Sequence, residues 1–181
     1  MEVSATYKCC IFGDGGVGKT TLVNRYMTGV FKGDTTLTIG VDFHIKDVDI
    51  GDTRIRLQIW DFAGEKQFRS LLPSYVRGAS AGMFMYDITR YSSVKNMEEW
   101  LEVFAEGLKV DKENIDNIPL MMVGGKKDLE YKRAVPREEA VQVANEYGFE
   151  AFLETSAKTG FHVEMAFNTL ARILAKKVGV L

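Results

Sequence analysis

The chain has 181 residues, 46% of them apolar and 27% charged, with a formal net charge of −2. That length fits one domain over residues 1–181, and the composition suits a folded core under a solvated surface, excluding a fibrous or disordered chain. Scattered lysines and arginines with no long basic block speak against nucleic acid as a partner, and no apolar run approaches the about 18 residues that insertion in a membrane requires.

An apolar run at 7–12 predicts the first strand. Its neighbouring cysteines, Cys9 and Cys10, point to opposite faces and cannot bridge each other. They read as buried thiols of a reducing compartment and, with no apolar leader, predict a cytoplasmic protein. The strand runs into Gly-Asp-Gly-Gly-Val-Gly-Lys-Thr at 13–20, and a helical pattern follows over 19–27. Strand, glycine-rich turn and helix in that order make a phosphate-binding loop. Gly15, Gly16, Val17 and Gly18 turn backbone N–H groups inward, and the helix N-terminus adds partial positive charge. Lys19 is placed for the β- and γ-phosphates, Thr20 for Mg²⁺, and Thr21 beside them for the nucleotide. The bland alternative is a turn whose lysine and threonine are merely solvated. The loop by itself does not name the nucleotide.

Downstream, residues 31–40 have weak periodicity and many small polar side chains; Thr38 is the threonine expected to close over Mg²⁺, because the following Ile39-Gly40-Val41-Asp42-Phe43 fixes its register. Strands at 42–50 and 54–60 are joined by Gly51-Asp52-Thr53, so short a connection that they form an antiparallel hairpin. After the third strand come Asp61, a metal-side carboxylate, and Gly64, whose N–H can approach the γ-phosphate without a Cβ in the way. A helix is expected around 68–76, a strand at 81–86 and a helix at 93–106 whose Val94, Met97, Trp100, Leu101 and Phe104 form a core stripe. Asp111-Lys112-Glu113-Asn114 reads as a polar loop.

The fifth strand, 120–124, leads to Gly124-Gly125-Lys126-Lys127-Asp128, where the Asp128 carboxylate can accept two N–H donors from one base edge, as guanine offers and adenine does not. A helix at 136–147 opens on Pro136 and stops at Gly148. The sixth strand, 151–154, ends in Glu154-Thr155-Ser156-Ala157-Lys158, a loop able to lend a backbone N–H to a base carbonyl. The last helix, 162–178, carries the stripe Val163, Ala166, Phe167, Leu170 and Ile173. The alternation predicts an α/β fold: a six-stranded, mostly parallel sheet with one antiparallel strand, flanked by about five helices. His44 and His162 are isolated, so zinc is not expected.

Five segments, Gly-Asp-Gly-Gly-Val-Gly-Lys-Thr from Gly13, Thr-Ile-Gly-Val-Asp-Phe from Thr38, the stretch 56–65, the stretch 75–89 and Glu-Thr-Ser-Ala-Lys from Glu154, together resemble the Ras-like small GTPases and, among them, the Rab branch. The resemblance covers nearly the whole chain. It implies a P-loop small G domain binding GTP or GDP with Mg²⁺, hydrolysing GTP slowly unaided, and acting as a switch in vesicle or membrane traffic. It implies that Thr38 and Gly64 hold loops 31–40 and 63–77 against the γ-phosphate, with Lys19 and Glu65 completing the catalytic set. An exchange factor, an activating protein and effectors would read those loops from a monomer. Phe31 would pack on the guanine, Lys126 would lay its stem along the ring, and Ala157, between Ser156 and Lys158, would give an N–H to the base.

The chain departs from the family pattern at several points. Glu65 stands where the family carries the glutamine that positions the attacking water; a carboxylate there is either repelled by the γ-phosphate or holds a proton and partly mimics the amide. Gln67, two residues on, is not expected to substitute. Gly125 replaces the asparagine of the guanine motif, which removes side-chain hydrogen bonds and predicts weaker binding that still prefers GTP over ATP. Phe62 replaces a threonine and reads as altered packing. No cysteine follows Cys10, so no lipidation site can be read; either a tail was removed or membranes are reached through partners. No arginine finger of the chain's own is evident, and the resemblance implies that one is borrowed from an activating protein. Rival readings are a GTP-binding scaffold without hydrolysis and a P-loop ATPase or small-molecule kinase, the latter opposed by Asp128 and the 154–158 loop.

Overall fold

In the computed structural model, which describes residues 2–33, 36–110, 117–177 and 179, six strands form one sheet in the order β2-β3-β1-β4-β5-β6. The strands are β1 (Val3–Phe12), β2 (Val41–Ile50), β3 (Thr53–Phe62), β4 (Ala81–Asp87), β5 (Leu120–Gly125) and β6 (Ala151–Glu154). All neighbours run parallel except β2 against β3, the hairpin expected from its short connection. Ile50 pairs with Thr53, so the loop is shorter than expected, and Gly51 takes the positive φ of 59° that so tight a turn demands.

Alternation along β1 divides the core. Cys9 and Ile11 face one side, with α1 (Lys19–Thr28) and α6 (Val163–Lys177); Cys10 and Phe12 face the other, with α2 (Leu72–Val76) and α4 (Met97–Leu108). On the first side the rings of Tyr26 and Phe167 stack 3.9 Å apart, joining α1 to α6. On the second, Phe12 stacks on Phe104 at 5.0 Å beside a fully buried Trp100. Each such side chain contributes on the order of 2 kcal/mol through burial, so the two half-cores fix the sheet and hold its carboxyl-end loops in register.

Five expectations need correction. The helix expected around 68–76 is a 3₁₀ segment, Lys66–Leu71, followed by the short α2, because Pro73 lacks the N–H that would continue the earlier turn. The helix expected over 93–106 is two, α3 (Ser92–Lys95) and α4, separated by Asn96 at φ −79°, ψ 3°, whose side chain turns away to Asp14. Among the described residues six α-helices flank the sheet, in keeping with the expected about five, and the fifth in chain order is α5 (Arg137–Glu146). Pro136 caps α5 from outside instead of occupying its first turn, although Gly148 ends it with φ 69° as expected. Asp61 lies inside β3 rather than beyond it, since Asp42 and Val41 of β2 pair with Asp61 and Phe62 and prolong the strand. The loop expected at 111–114 and the end of the last helix at Val178 lie outside the described residues. In the last stripe Ile173 is half-buried, and Leu174 takes the core position.

Candidate functional site

The carboxyl ends of β1, β3, β4 and β5 open on one cleft of about 430 Å³. Of the residues singled out by sequence, Gly16, Val17, Gly18, Lys19, Thr20, Thr21, Phe31, Thr38, Gly64, Glu65, Lys126, Asp128, Ala157 and Lys158 line it. The other three touch it at one remove: Gly15 lies against Glu65, Asp61 bonds Thr20, and Ser156 bonds Asp128. Gly33, Thr36, Leu37, Phe62, Met85 and Leu129 complete the lining.

The floor is the turn between β1 and α1. Lys19, 5% exposed, folds back along it and donates to the carbonyls of Gly13 at 2.7 Å and Asp14 at 2.8 Å. Burial pushes its ammonium down to about 8, while Asp61, Glu65 and Asp14 pull it back up and Arg90 presses it further down. A buried cation spanning an amide-lined loop has the charge and place to meet a polyanion.

Beside it three oxygens converge. Thr20 Oγ1 donates to Asp61 Oδ2 at 2.6 Å and, its proton spent there, accepts from Thr38 Oγ1 at 2.6 Å. Asp61 Oδ1 is buried with no hydrogen-bond partner, and burial raises this carboxyl to about 6. One carboxylate with an orphaned oxygen and two hydroxyls fit Mg²⁺, which binds few protein ligands and completes its shell with water and phosphate. Among the described residues no group of three or more His, Cys, Asp or Glu gathers, so a self-sufficient metal cage is not formed.

Gly64 packs directly on the phosphate loop: any Cβ there would overlap the Asp14–Gly15 peptide. Glu65 follows with its Oε1 2.6 Å from where a Cβ on Gly15 would stand, and its Oε2 is buried without a partner. The carboxylate therefore occupies the rim of the cleft over the loop. Gln67, on the exposed side of the 3₁₀ segment, does not line the cleft.

At the opposite end, Ser156 Oγ donates to Asp128 Oδ1 at 2.6 Å, and Lys127 N donates to the Thr155 carbonyl at 2.9 Å, which ties the two base-side loops together. Lys126 takes a left-handed φ of 65°, lies 2.6 Å from the buried Asp87 and donates to the Gly16 carbonyl at 2.8 Å, so its stem crosses the cleft. Gly125 is buried, and the methyl of Met85 fills the space its Cβ would need, with the Val17 carbonyl 3.0 Å from the same point. The missing asparagine is thus answered by a thioether packed beneath the loop.

Sequence reasoning passed over Asp14, Arg69, Met85 and Arg90. Asp14 accepts from Trp100 Nε1 at 2.8 Å, Asn96 Nδ2 at 2.7 Å and Arg69 Nη2 at 3.2 Å, and Arg69 also stacks 4.5 Å over the Trp100 ring and pairs with Glu99. Arg90 follows β4, a strand end that should have been searched with the others.

A mostly parallel sheet whose carboxyl ends hold a glycine-rich loop, a buried lysine and an orphaned metal-side carboxylate defines a P-loop nucleotide-binding domain. The chain matches the model of the Ras family over residues 8–176. It is 40% identical over 172 residues to the Ras-related protein Rab-26 of Bos taurus, covering 94% of this chain and 64% of that protein. It is 38% identical over 173 residues to Rab-13 of Canis lupus familiaris (96% and 82% covered) and 40% identical over 172 residues to Rab-8A of Pongo abelii (95% and 80%). The chain therefore belongs to the Ras family of small GTPases, in its Rab branch. It spans 64% of the length of Rab-26.

Proposed function

We propose that this protein binds Mg²⁺ with GTP or GDP, hydrolyses GTP slowly, and switches loops 31–40 and 63–77 between two states read by an exchange factor, an activating protein and effectors in membrane traffic. The observation that carries this reading is the Thr20–Asp61–Thr38 oxygen cluster beside buried Lys19, which joins loop 31–40 and the end of β3, where loop 63–77 begins, to the phosphate floor. Membership of the Rab branch supports it. So does the aromatic row beside the loops, where half-buried Trp60 meets exposed Phe43 edge-on at 5.0 Å and exposed Tyr75 at a tilt at 6.2 Å, offering partners an apolar surface. Among the described residues no helix is long and apolar enough to cross a membrane. Contact with a bilayer in this proposal runs through partners or through chain beyond these residues.

The residues divide the work by position. Asp128, held by Ser156, accepts from the guanine edge, Ala157 and Lys158 close that end, and Phe31 and Lys126 flank the ring. Gly15, Gly16, Val17 and Gly18 present amides to the phosphates, Thr21 borders them, and Lys19 holds the charge that grows as the γ-phosphoryl group leaves. Mg²⁺ would be held by Thr20, Thr38 and, through water, Asp61, and when bound it neutralises phosphate charge as a Lewis acid. Water attacks the γ-phosphorus as the bond to the bridging oxygen breaks, giving GDP and phosphate. Gly64 fixes the loop, and an ionised carboxylate at Glu65 accepts a hydrogen from that water but has none to give, whereas an amide could also donate to the γ-phosphate. Slow turnover follows.

The test is a nucleotide titration followed by single-turnover phosphate release. GTP should bind more tightly than ATP, and Glu65→Gln should raise the rate at least about a hundredfold, the lower range for a positioned proton-handling group. Equal affinity for ATP and GTP overturns the reading. The unpartnered Glu65 carboxylate favours one alternative, a GTP-binding scaffold; tight GTP binding with no phosphate release from wild-type protein selects it.

A further inference from the structure

We propose that Arg90 is a positioning residue for the nucleotide's phosphates, supplying from within the chain a guanidinium charge that grips the outer side of the phosphate loop. The proposal rests on the nucleotide-binding reading above. Arg90 sits in the turn after β4 with its backbone fixed on both sides: its N–H donates to the Asp87 carbonyl at 3.0 Å, and its carbonyl accepts from Ser93 Oγ at 2.6 Å. From this anchor the side chain reaches across to the loop, where Nη2 donates to the Gly15 carbonyl at 2.7 Å and Nη1 comes within 3.6 Å of the Cβ position on Gly16. Nε is buried without a hydrogen-bond partner. Among the described residues no carboxylate pairs with this guanidinium, in contrast to Arg54, Arg56, Arg69 and Arg133, each of which has one.

An unneutralised, half-buried cation against an amide-lined loop is unfavourable until an anion arrives. Its charge is felt inside the cleft, where it presses the buried Lys19 ammonium toward neutrality. The Gly15 carbonyl and the Gly16 N–H belong to one peptide unit. A charged donor on that carbonyl polarises the unit and makes the N–H a stronger donor to a phosphate oxygen. Arg90 thus acts twice, by direct attraction for the phosphate tail and through the Gly15–Gly16 peptide. Both effects scale with the number of phosphates beyond the first, and neither concerns the base.

The test compares wild-type protein with Arg90→Ala, Arg90→Gln and Arg90→Lys in titrations with GMP, GDP and GTP at constant Mg²⁺. Arg90→Ala is expected to weaken GDP and GTP by about tenfold, the range of one charge-assisted hydrogen bond, and to leave GMP unchanged. Arg90→Gln keeps a donor for the Gly15 carbonyl without the charge and should behave like alanine; should alanine prove unstable, it carries the comparison. Arg90→Lys should recover most of the loss, and the wild-type advantage should shrink as salt is raised. Equal losses for all three nucleotides, or none, overturn the proposal, as does a lysine variant no better than glutamine. Failure of wild-type protein to bind GTP overturns the nucleotide reading and this proposal with it. Binding that is intact but indifferent to Arg90 overturns this proposal alone.

Discussion

Met85 carries its methyl into the room that a side chain at position 125 would need, so glycine at 125 and methionine at 85 are one packing solution rather than two independent features. A thioether is flexible enough to yield, yet the Val17 carbonyl at 3.0 Å is backbone of the phosphate loop and is not. Gly125→Asn alone should therefore destabilise the ligand-free protein by about 1–3 kcal/mol through overpacking, and should loosen rather than tighten GDP binding. Combining it with Met85→Ala should return most of that stability and raise GDP affinity above either single variant. The check is denaturant unfolding and nucleotide titration on all four proteins, with a coupling of at least about 1 kcal/mol expected for side chains in contact. Strict additivity would mean that the two positions do not share the space.

At the scale of elements, Asp14 ties three of them together. Trp100 and Asn96 reach it from α4 and from the break before that helix, and Arg69 reaches it from the 3₁₀ segment while stacked on the Trp100 ring. A shift of loop 63–77 must break the Arg69 contacts, so the phosphate loop and α4 resist that shift together. Arg69→Met keeps bulk over the tryptophan but removes the charged donor from Asp14. Amide exchange across Lys66–Val76 should then quicken by about tenfold, the equivalent of one charge-assisted bond, with β5 unchanged. Unchanged exchange in the segment would sink the latch. This tie was invisible in the sequence, where Asp14 is only a variable place within a glycine-rich loop and Arg69 a surface-like arginine. The phosphate floor, by contrast, was legible because strand, glycines, lysine and helix are contiguous, and the hairpin because a connection as short as Gly51-Asp52-Thr53 leaves no other path. Long-range pairing decided what remained: Asp42 opposite Asp61 prolonged β3, and Asn96 broke a periodic helix in order to reach a partner 82 positions away. Arg90 could have been found by searching every strand end, since it follows β4 as Asp128 follows β5.

The whole molecule bears the cost of a charged floor. In the ligand-free protein the folded-state value of Lys19 is about 8 against 10.5 for the free side chain, so below pH 8 the fold holds a buried ammonium that the unfolded chain solvates freely. The unfolded state keeps the extra proton between those values. Stability from this group therefore rises with pH across the window and carries its full penalty below it, on the order of 3 kcal/mol. Chemical unfolding of nucleotide-free protein at about pH 7 and about pH 10 should show that rise relative to Lys19→Met, which lacks the titrating group. Parallel pH profiles for the two proteins would refute it. Bound phosphate removes the penalty, which couples occupancy of the cleft to the stability of the sheet beneath it.

That sheet also carries Cys9 and Cys10 side by side on its central strand, one thiol turned into each half of the interior, with burial pushing Cys10 up to about 12 and Cys9 higher still. A thiol-selective reagent meets neither until the layer covering it has peeled away. The order in which the two sulfurs are capped during unfolding would be a built-in clock for which flank of the molecule lets go first.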